Sequence, residues 1–167
     1  MRLRATGWRA CCVGVMLATG SLRAAELDAM LGRYEAMLVQ TPDSATAFDR
    51  LVQEATVRGR LDELTERWSK EPGAVHLVLR ARLALRLGKA DEARGLFNQA
   101  LAAEPDNRAF WRLKAESERV AGRADEVILA NTKVLELGAQ GEERLEAYRN
   151  IALMQQRLLQ TDDAAAT

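Results

Sequence analysis

Leu87-Gly88-Lys89-Ala90-Asp91-Glu92-Ala93 is echoed by Ala121-Gly122-Arg123-Ala124-Asp125-Glu126-Val127, 34 residues further on. Self-similarity at about that spacing is the period of a helix-turn-helix repeat, too short for a domain and too long for a heptad. The glycine lacks a Cβ and permits the positive φ that ends a helix. The acidic pair then falls in the first turn of the next helix, where carboxylates meet unpaired amides and the positive end of the helix dipole. Each copy therefore reads as the hinge of a helical hairpin.

Around the first of these copies, a helix from about Ala74 to Leu87 precedes the turn, and Ala93, Phe97, Ala100 and Leu101 form the buried stripe of the helix after it. Pro105 stops the pair. Small residues at Ala81, Ala93 and Ala100 allow close approach of helix backbones, and Leu77, Leu96 and Phe97 fill the remaining space. Around the second copy, Asn107 opens the unit, Trp111 stands for Leu77, Ala115 for Ala81, and Val134 and Leu135 for Ala100 and Leu101. One substitution breaks the pattern: Asn131 stands where Phe97 does. A buried amide without partners costs a few kcal/mol, so Asn131 is expected to be partly exposed beside the adjacent loop.

Towards the N-terminus, Glu26 to Gln40 carries Leu27, Met30, Leu31, Tyr34, Met37 and Leu38 on one helical stripe. Thr41 and Pro42 close it, and Asp43 and Ser44 are placed to cap a second helix that runs to about Val57 with Phe48, Leu51, Val52 and Ala55 inward. Gly59-Arg60-Leu61-Asp62-Glu63-Leu64 is an earlier copy of the hinge, and the helix carrying Leu61, Leu64 and Trp68 is cut short by Pro72 and Gly73. Beyond Gly138 and Gly141, Tyr148, Ile151 and Ala152 are expected to repeat the Trp111 and Ala115 positions. Leu158 to Ala164 reads as a worn hinge, followed by the start of a helix that is not completed. The units so defined are approximately 26–42, 43–73, 74–106, 107–140 and 141–164, within a repeat domain of residues 26–167.

Residues 1–25 read differently. Arg2, Arg4 and Arg9 precede a short apolar run through Cys11, Cys12, Val13, Val15, Met16 and Leu17, followed by small residues at Ala18, Gly20, Ala24 and Ala25. This is the order of a secretory signal peptide, and the run is shorter than the ~20 residues of a membrane span. An exported, periplasmic protein is expected; membrane association through an uncleaved signal anchor is the alternative. Both cysteines lie in the leader, before the position a lipid anchor would require, so the processed chain has neither disulfide nor lipid attachment.

Composition narrows the function classes. Basic and acidic residues number 24 each, and removing the leader takes away four arginines and no acids, leaving a mildly acidic domain unsuited to generic nucleic-acid binding. The lone histidine is His76, the processed chain lacks cysteine, and there is no phosphate-cradling glycine loop. No catalytic residue, metal site or cofactor is expected. Asp91, Glu92, Asp125 and Glu126 recur at the repeat period and read as helix starters rather than acid–base groups.

Trp111, Ala81, Ala115, Gly88, Gly122, Ala93, Phe97, Ala100, Pro42 and Pro105 sit at the positions by which the chain resembles the tetratricopeptide repeat family, over roughly Glu26 to Ala164. It departs from the family pattern at Arg80 and Lys114, where leucine is usual, at Val127 and at Asn131. The resemblance implies an all-α, right-handed superhelical solenoid of antiparallel helix pairs, about four units with a truncated last one, with a concave peptide-binding face and generally no catalysis. Carried over by position, that face holds Asp49, Gln53, Thr56, Val78, Leu85, Glu116 and Leu153. It also holds six arginines, the candidate binding residues: Arg82, Arg86, Arg112, Arg119, Arg149 and Arg157. Guanidinium groups pair bidentately with carboxylates, which suits an acidic segment or a free C-terminus; pairing with Glu116, Glu118 or Glu146 at the surface is the competing role. The asparagines that some carboxylate-binding members place along this face are read as absent. The expected function is a non-catalytic scaffold of the bacterial envelope that binds a protein partner or acidic peptide. The alternatives are a subunit that self-associates through its open C-terminal end, and the N-terminal repeat region of a larger envelope enzyme or secretion factor.

Overall fold

The computed structural model describes residues 28–165; the leader and Leu27 lie outside them. Among the described residues all regular structure is helical: α1 (28–40), α2 (Ala45–Val57), α3 (Leu61–Lys70), α4 (Ala74–Arg86), α5 (Ala90–Ala103), α6 (Arg108–Val120), α7 (Ala124–Glu136) and α8 (Gly141–Ala165). Consecutive helices joined by short turns form a helical repeat solenoid, with α4 against α5, α5 against α6, α6 against α7 and α7 against α8. The first helices of neighbouring hairpins, α4 and α6, also touch.

The hinge chemistry operates as the repeated stretch implies. Gly88 and Gly122 take φ values of 77° and 75°, and the next residue folds back: Lys89 N–H donates to the Ala84 carbonyl at 2.9 Å and Arg123 N–H to the Glu118 carbonyl at 3.0 Å. These bonds satisfy carbonyls that the ending helix leaves unpaired. Asp91 and Glu92 stand in the first turn of α5, and Asp125 and Glu126 in that of α7. Ser44 accepts from Ala47 N–H at 3.4 Å to cap α2, and Asn107 caps α6 through Phe110 N–H at 3.3 Å. Asp43, expected to share the capping of α2, instead reaches across the face to Arg112.

Apolar burial is concentrated in the first two-thirds of the stack. Leu31, Leu38, Phe48, Leu51, Leu64, Trp68 and Leu79 form one cluster, and Val78, Ala81, Ala93, Phe97, Ala100 and Phe110 a second. Each large side chain so buried stabilises by about 1.5–3 kcal/mol relative to exposure. Trp68 also donates its indole N–H to Glu35 at 2.8 Å, and Trp111, half-buried like its counterpart Leu77, donates to the Pro105 carbonyl at 2.7 Å. A third cluster, Val134, Ala139 and Ala147, is small.

Where the apolar core thins, a charged network replaces it. Glu118 on α6 is fully buried, and accepts from Arg123 at 2.7 Å with Arg94 Nε 3.7 Å away. Lys114, one turn earlier and 5 % exposed, lies 3.3 Å from Glu126, which Arg94 also contacts at 2.7 Å. The hydrogen bond that Arg123 donates to Glu118 raises the Arg123 pKa above its ordinary value. Burial pushes the Glu126 carboxyl up, but Lys114 and Arg94 outweigh it and hold the group below its ordinary value. Lys114 thus fills a leucine slot with a paired cation.

Three expectations are corrected. The hinge read at Leu158 to Ala164 does not form, because α8 runs unbroken from Gly141 to Ala165. In that worn copy Leu159 occupies the place of Gly88, and a residue with a Cβ resists positive φ, so the helix simply continues. The register of α8 is also shifted: Ala147 is buried, Ile151 half-buried, and Tyr148 and Ala152 face outward. Ala147 is the residue small enough to approach Val134 and Ala139, whereas Tyr148 is half-exposed with the Arg144 guanidinium 5.6 Å from its ring centre. Asn131, finally, is 3 % exposed rather than partly exposed. It avoids most of the burial penalty by donating Nδ2 to the Val127 carbonyl at 2.8 Å, one turn back on α7.

Candidate binding face of the first helices

The face shared by α2, α4, α6 and α8 carries two cavities. One, of about 570 Å³, lies between α2 and α4 and is lined by Asp49, Val52, Gln53, Thr56, Leu83 and Arg86 among others. The second, of about 240 Å³, lies between α6 and α8 over α7, with Arg112, Glu116, Asn131, Glu143, Glu146 and Asn150 in its wall and Asp43 at its edge.

The six arginines arrive at this face already engaged, with one exception. Arg82 is largely buried under the α1–α2 connection: its guanidinium donates to the Pro42 carbonyl at 2.6 Å and to the Ser44 carbonyl at 3.4 Å, and lies 4.0 Å from the centre of the Phe48 ring. Burial pushes its pKa down to about 10. Arg86 pairs with Asp49, and Arg112 with Asp43 and, at 3.9 Å, with Glu143. Arg119 donates twice to Glu116, at 2.6 and 2.7 Å, and this hydrogen bonding raises its pKa above the ordinary value. Arg149 pairs with Glu142 at 3.1 Å. Among the described residues Arg157 makes no ion pair, and it sits with Leu158 and Thr161 against the α6–α7 turn, in a hollow of about 520 Å³. The structure brings Arg82, Arg86 and Arg112 to the edge of the α1–α2 segment and leaves Arg157 apart from them. Val78, carried onto the same face by position, is fully buried instead.

Sequence reasoning missed the polar wall of the smaller cavity. Asn150 on α8 is an asparagine on the face where none is read, and its Nδ2 lies 3.5 Å from the Asn131 oxygen. Asn131 was legible as a break in the repeat; Glu143, Glu146 and Asn150 carried no such signal, because the period is lost in α8. Arg108 holds this corner, contacting Glu143 at 3.0 Å and donating to the Leu137 and Gly138 carbonyls at 3.2 and 3.3 Å. Among the described residues no group of three or more His, Cys, Asp or Glu side chains is placed to hold a metal ion, and no helix is long and apolar enough to cross a membrane.

A family model described as tetratricopeptide repeat matches residues 74–117, which cover α4, α5 and most of α6. This stretch is similar to a tetratricopeptide repeat. Repeats of this kind commonly mediate protein–protein interaction and are generally non-catalytic. No curated protein matches the chain.

Proposed function

We propose that the protein is a non-catalytic interaction module of the bacterial cell envelope, whose partner protein lies along the face of α2, α4, α6 and α8. The observation that carries this reading is the pair of cavities on that one face, each formed between first helices of different hairpins, on a chain whose middle resembles a protein-binding repeat. The order of charged, apolar and small residues in the leader supports export. An acidic partner segment is the less favoured ligand, since five of the six arginines would have to exchange an internal acceptor for it.

The test is site-specific photo-crosslinking in cells producing the full chain with a C-terminal tag, with the crosslinker at Gln53 or Glu116 on the face and at Glu66 on α3 as control. Crosslinks to a discrete envelope protein from the first two positions only support the reading. Equal crosslinking from Glu66, or none from the face, overturns it.

One observation favours self-association as a second reading: α8 carries Leu145, Tyr148 and Leu159 exposed on its outer side. Light scattering that finds only monomer at micromolar concentration removes it.

A further inference from the structure

We infer that the smaller cavity, between α6 and α8, receives the guanidinium of an arginine presented by the partner. The inference rests on the face proposed above and names the chemistry that one part of it selects. Asn131 is almost wholly buried and lines the cavity. Its Nδ2 is committed to the Val127 carbonyl, which leaves Oδ1 as an acceptor whose one hydrogen bond among the described residues, from Asn150 Nδ2, is at 3.5 Å. An amide oxygen accepts two hydrogen bonds and N–H···O bonds usually fall at about 2.7–3.2 Å, so this oxygen is underused in a place where an unmet acceptor is costly. The wall around it adds acceptors rather than donors. Glu146 makes no ion pair among the described residues, the Asn150 oxygen makes no hydrogen bond among them, and the cation in the wall, Arg112, is taken by Asp43. Of the four carboxylates in the wall, Asp43, Glu116 and Glu143 are paired with Arg112, Arg119 and Arg108, which leaves Glu146 as the acceptor open to a ligand.

A cavity so furnished fits a ligand that only donates. A guanidinium offers five N–H donors and no acceptor, in a planar fork that can bridge an amide oxygen and a carboxylate. The volume of about 240 Å³ is below the ~300–1,000 Å³ of small-molecule sites and suits one long side chain entering from a peptide. A bare metal ion is the poorer occupant, since no metal-holding group of acidic or histidine side chains is present among the described residues.

The experiment is a heteronuclear NMR titration of the full ¹⁵N-labelled chain with N-acetyl-arginine amide, and in parallel with N-acetyl-glutamate amide. The arginine probe is expected to shift the side-chain amide signals of Asn131 and Asn150 saturably, with a Kd on the order of millimolar. Glu146→Gln, at an exposed position that leaves the fold intact, should weaken that binding about two- to fivefold. Shifts of the same amides by the glutamate probe, an arginine response that does not saturate, or an unchanged affinity in Glu146→Gln would each overturn the assignment. Failure of the probe with crosslinking from Gln53 and Glu116 retained removes the arginine alone; loss of that crosslinking removes the interaction face itself.

Discussion

Replacing Glu126 by alanine should do more damage than replacing the buried lysine it faces. Glu126 is about one-quarter exposed and lies 3.3 Å from Lys114, whose side chain has almost no access to water. In Glu126→Ala the ammonium loses its counter-ion, and Glu118, four residues on, has one oxygen engaged by Arg123 and the other 3.7 Å from Arg94. Stranding a buried charge costs about 3–5 kcal/mol. A loss of about 3 kcal/mol is therefore expected at pH 7, or a fall of roughly 6–12 °C in Tm. Lys114→Leu leaves Glu126 with Arg94 and partial solvent access, and should change stability by about 1 kcal/mol or less in either direction. The double variant should recover most of the loss. Urea unfolding followed by far-UV circular dichroism at pH 7 reads all four chains. A Glu126→Ala penalty below about 1 kcal/mol, or a double variant no more stable than Glu126→Ala, would refute the argument that desolvation of Lys114 controls the outcome.

Two further outcomes follow from the same structure. Arg82→Met keeps the stem over Phe48 but removes the donors to Pro42 and Ser44; it should cost about 2–3 kcal/mol and speed amide exchange at Ser44, whose N–H is bonded to the Thr41 carbonyl. Unchanged exchange there would show that Arg82 does not fasten the segment. In acid, the depressed Glu126 carboxyl contributes stability that is present above its ordinary value of 4.5 and is lost as pH falls through its lower folded value. The stability of Lys114→Leu should fall less steeply than that of the parent below pH ~4.5, and identical slopes would count against the pairing.

Much of the fold was legible because it is local. The hinge at Gly88 and its copy at Gly122 need only a residue without Cβ followed by helix-starting acids, and the stripes containing Phe48, Leu64, Phe97 and Val134 are set by 3.6-residue periodicity. The same logic failed in α8, where a worn copy of the hinge kept its acids but lost its glycine. Position alone also assigned Val78 to the binding face, although packing against neighbouring units buries it.

What the sequence determined by itself is the set of decisions made within one hairpin: helix class, hinge position, capping and the repeat length, all of which depend on residues a few positions apart. Whether Arg82, Arg86 or Arg112 is free to bind, however, depends on residues 37 to 69 positions away: Pro42 and Ser44 for Arg82, Asp49 for Arg86 and Asp43 for Arg112. The cavity that joins Asn131 to Asn150 and Glu146 likewise exists only once α8 is laid beside α6. Stacking decides these features because ion pairing and desolvation depend on distance in space, and distance along the chain carries no measure of it.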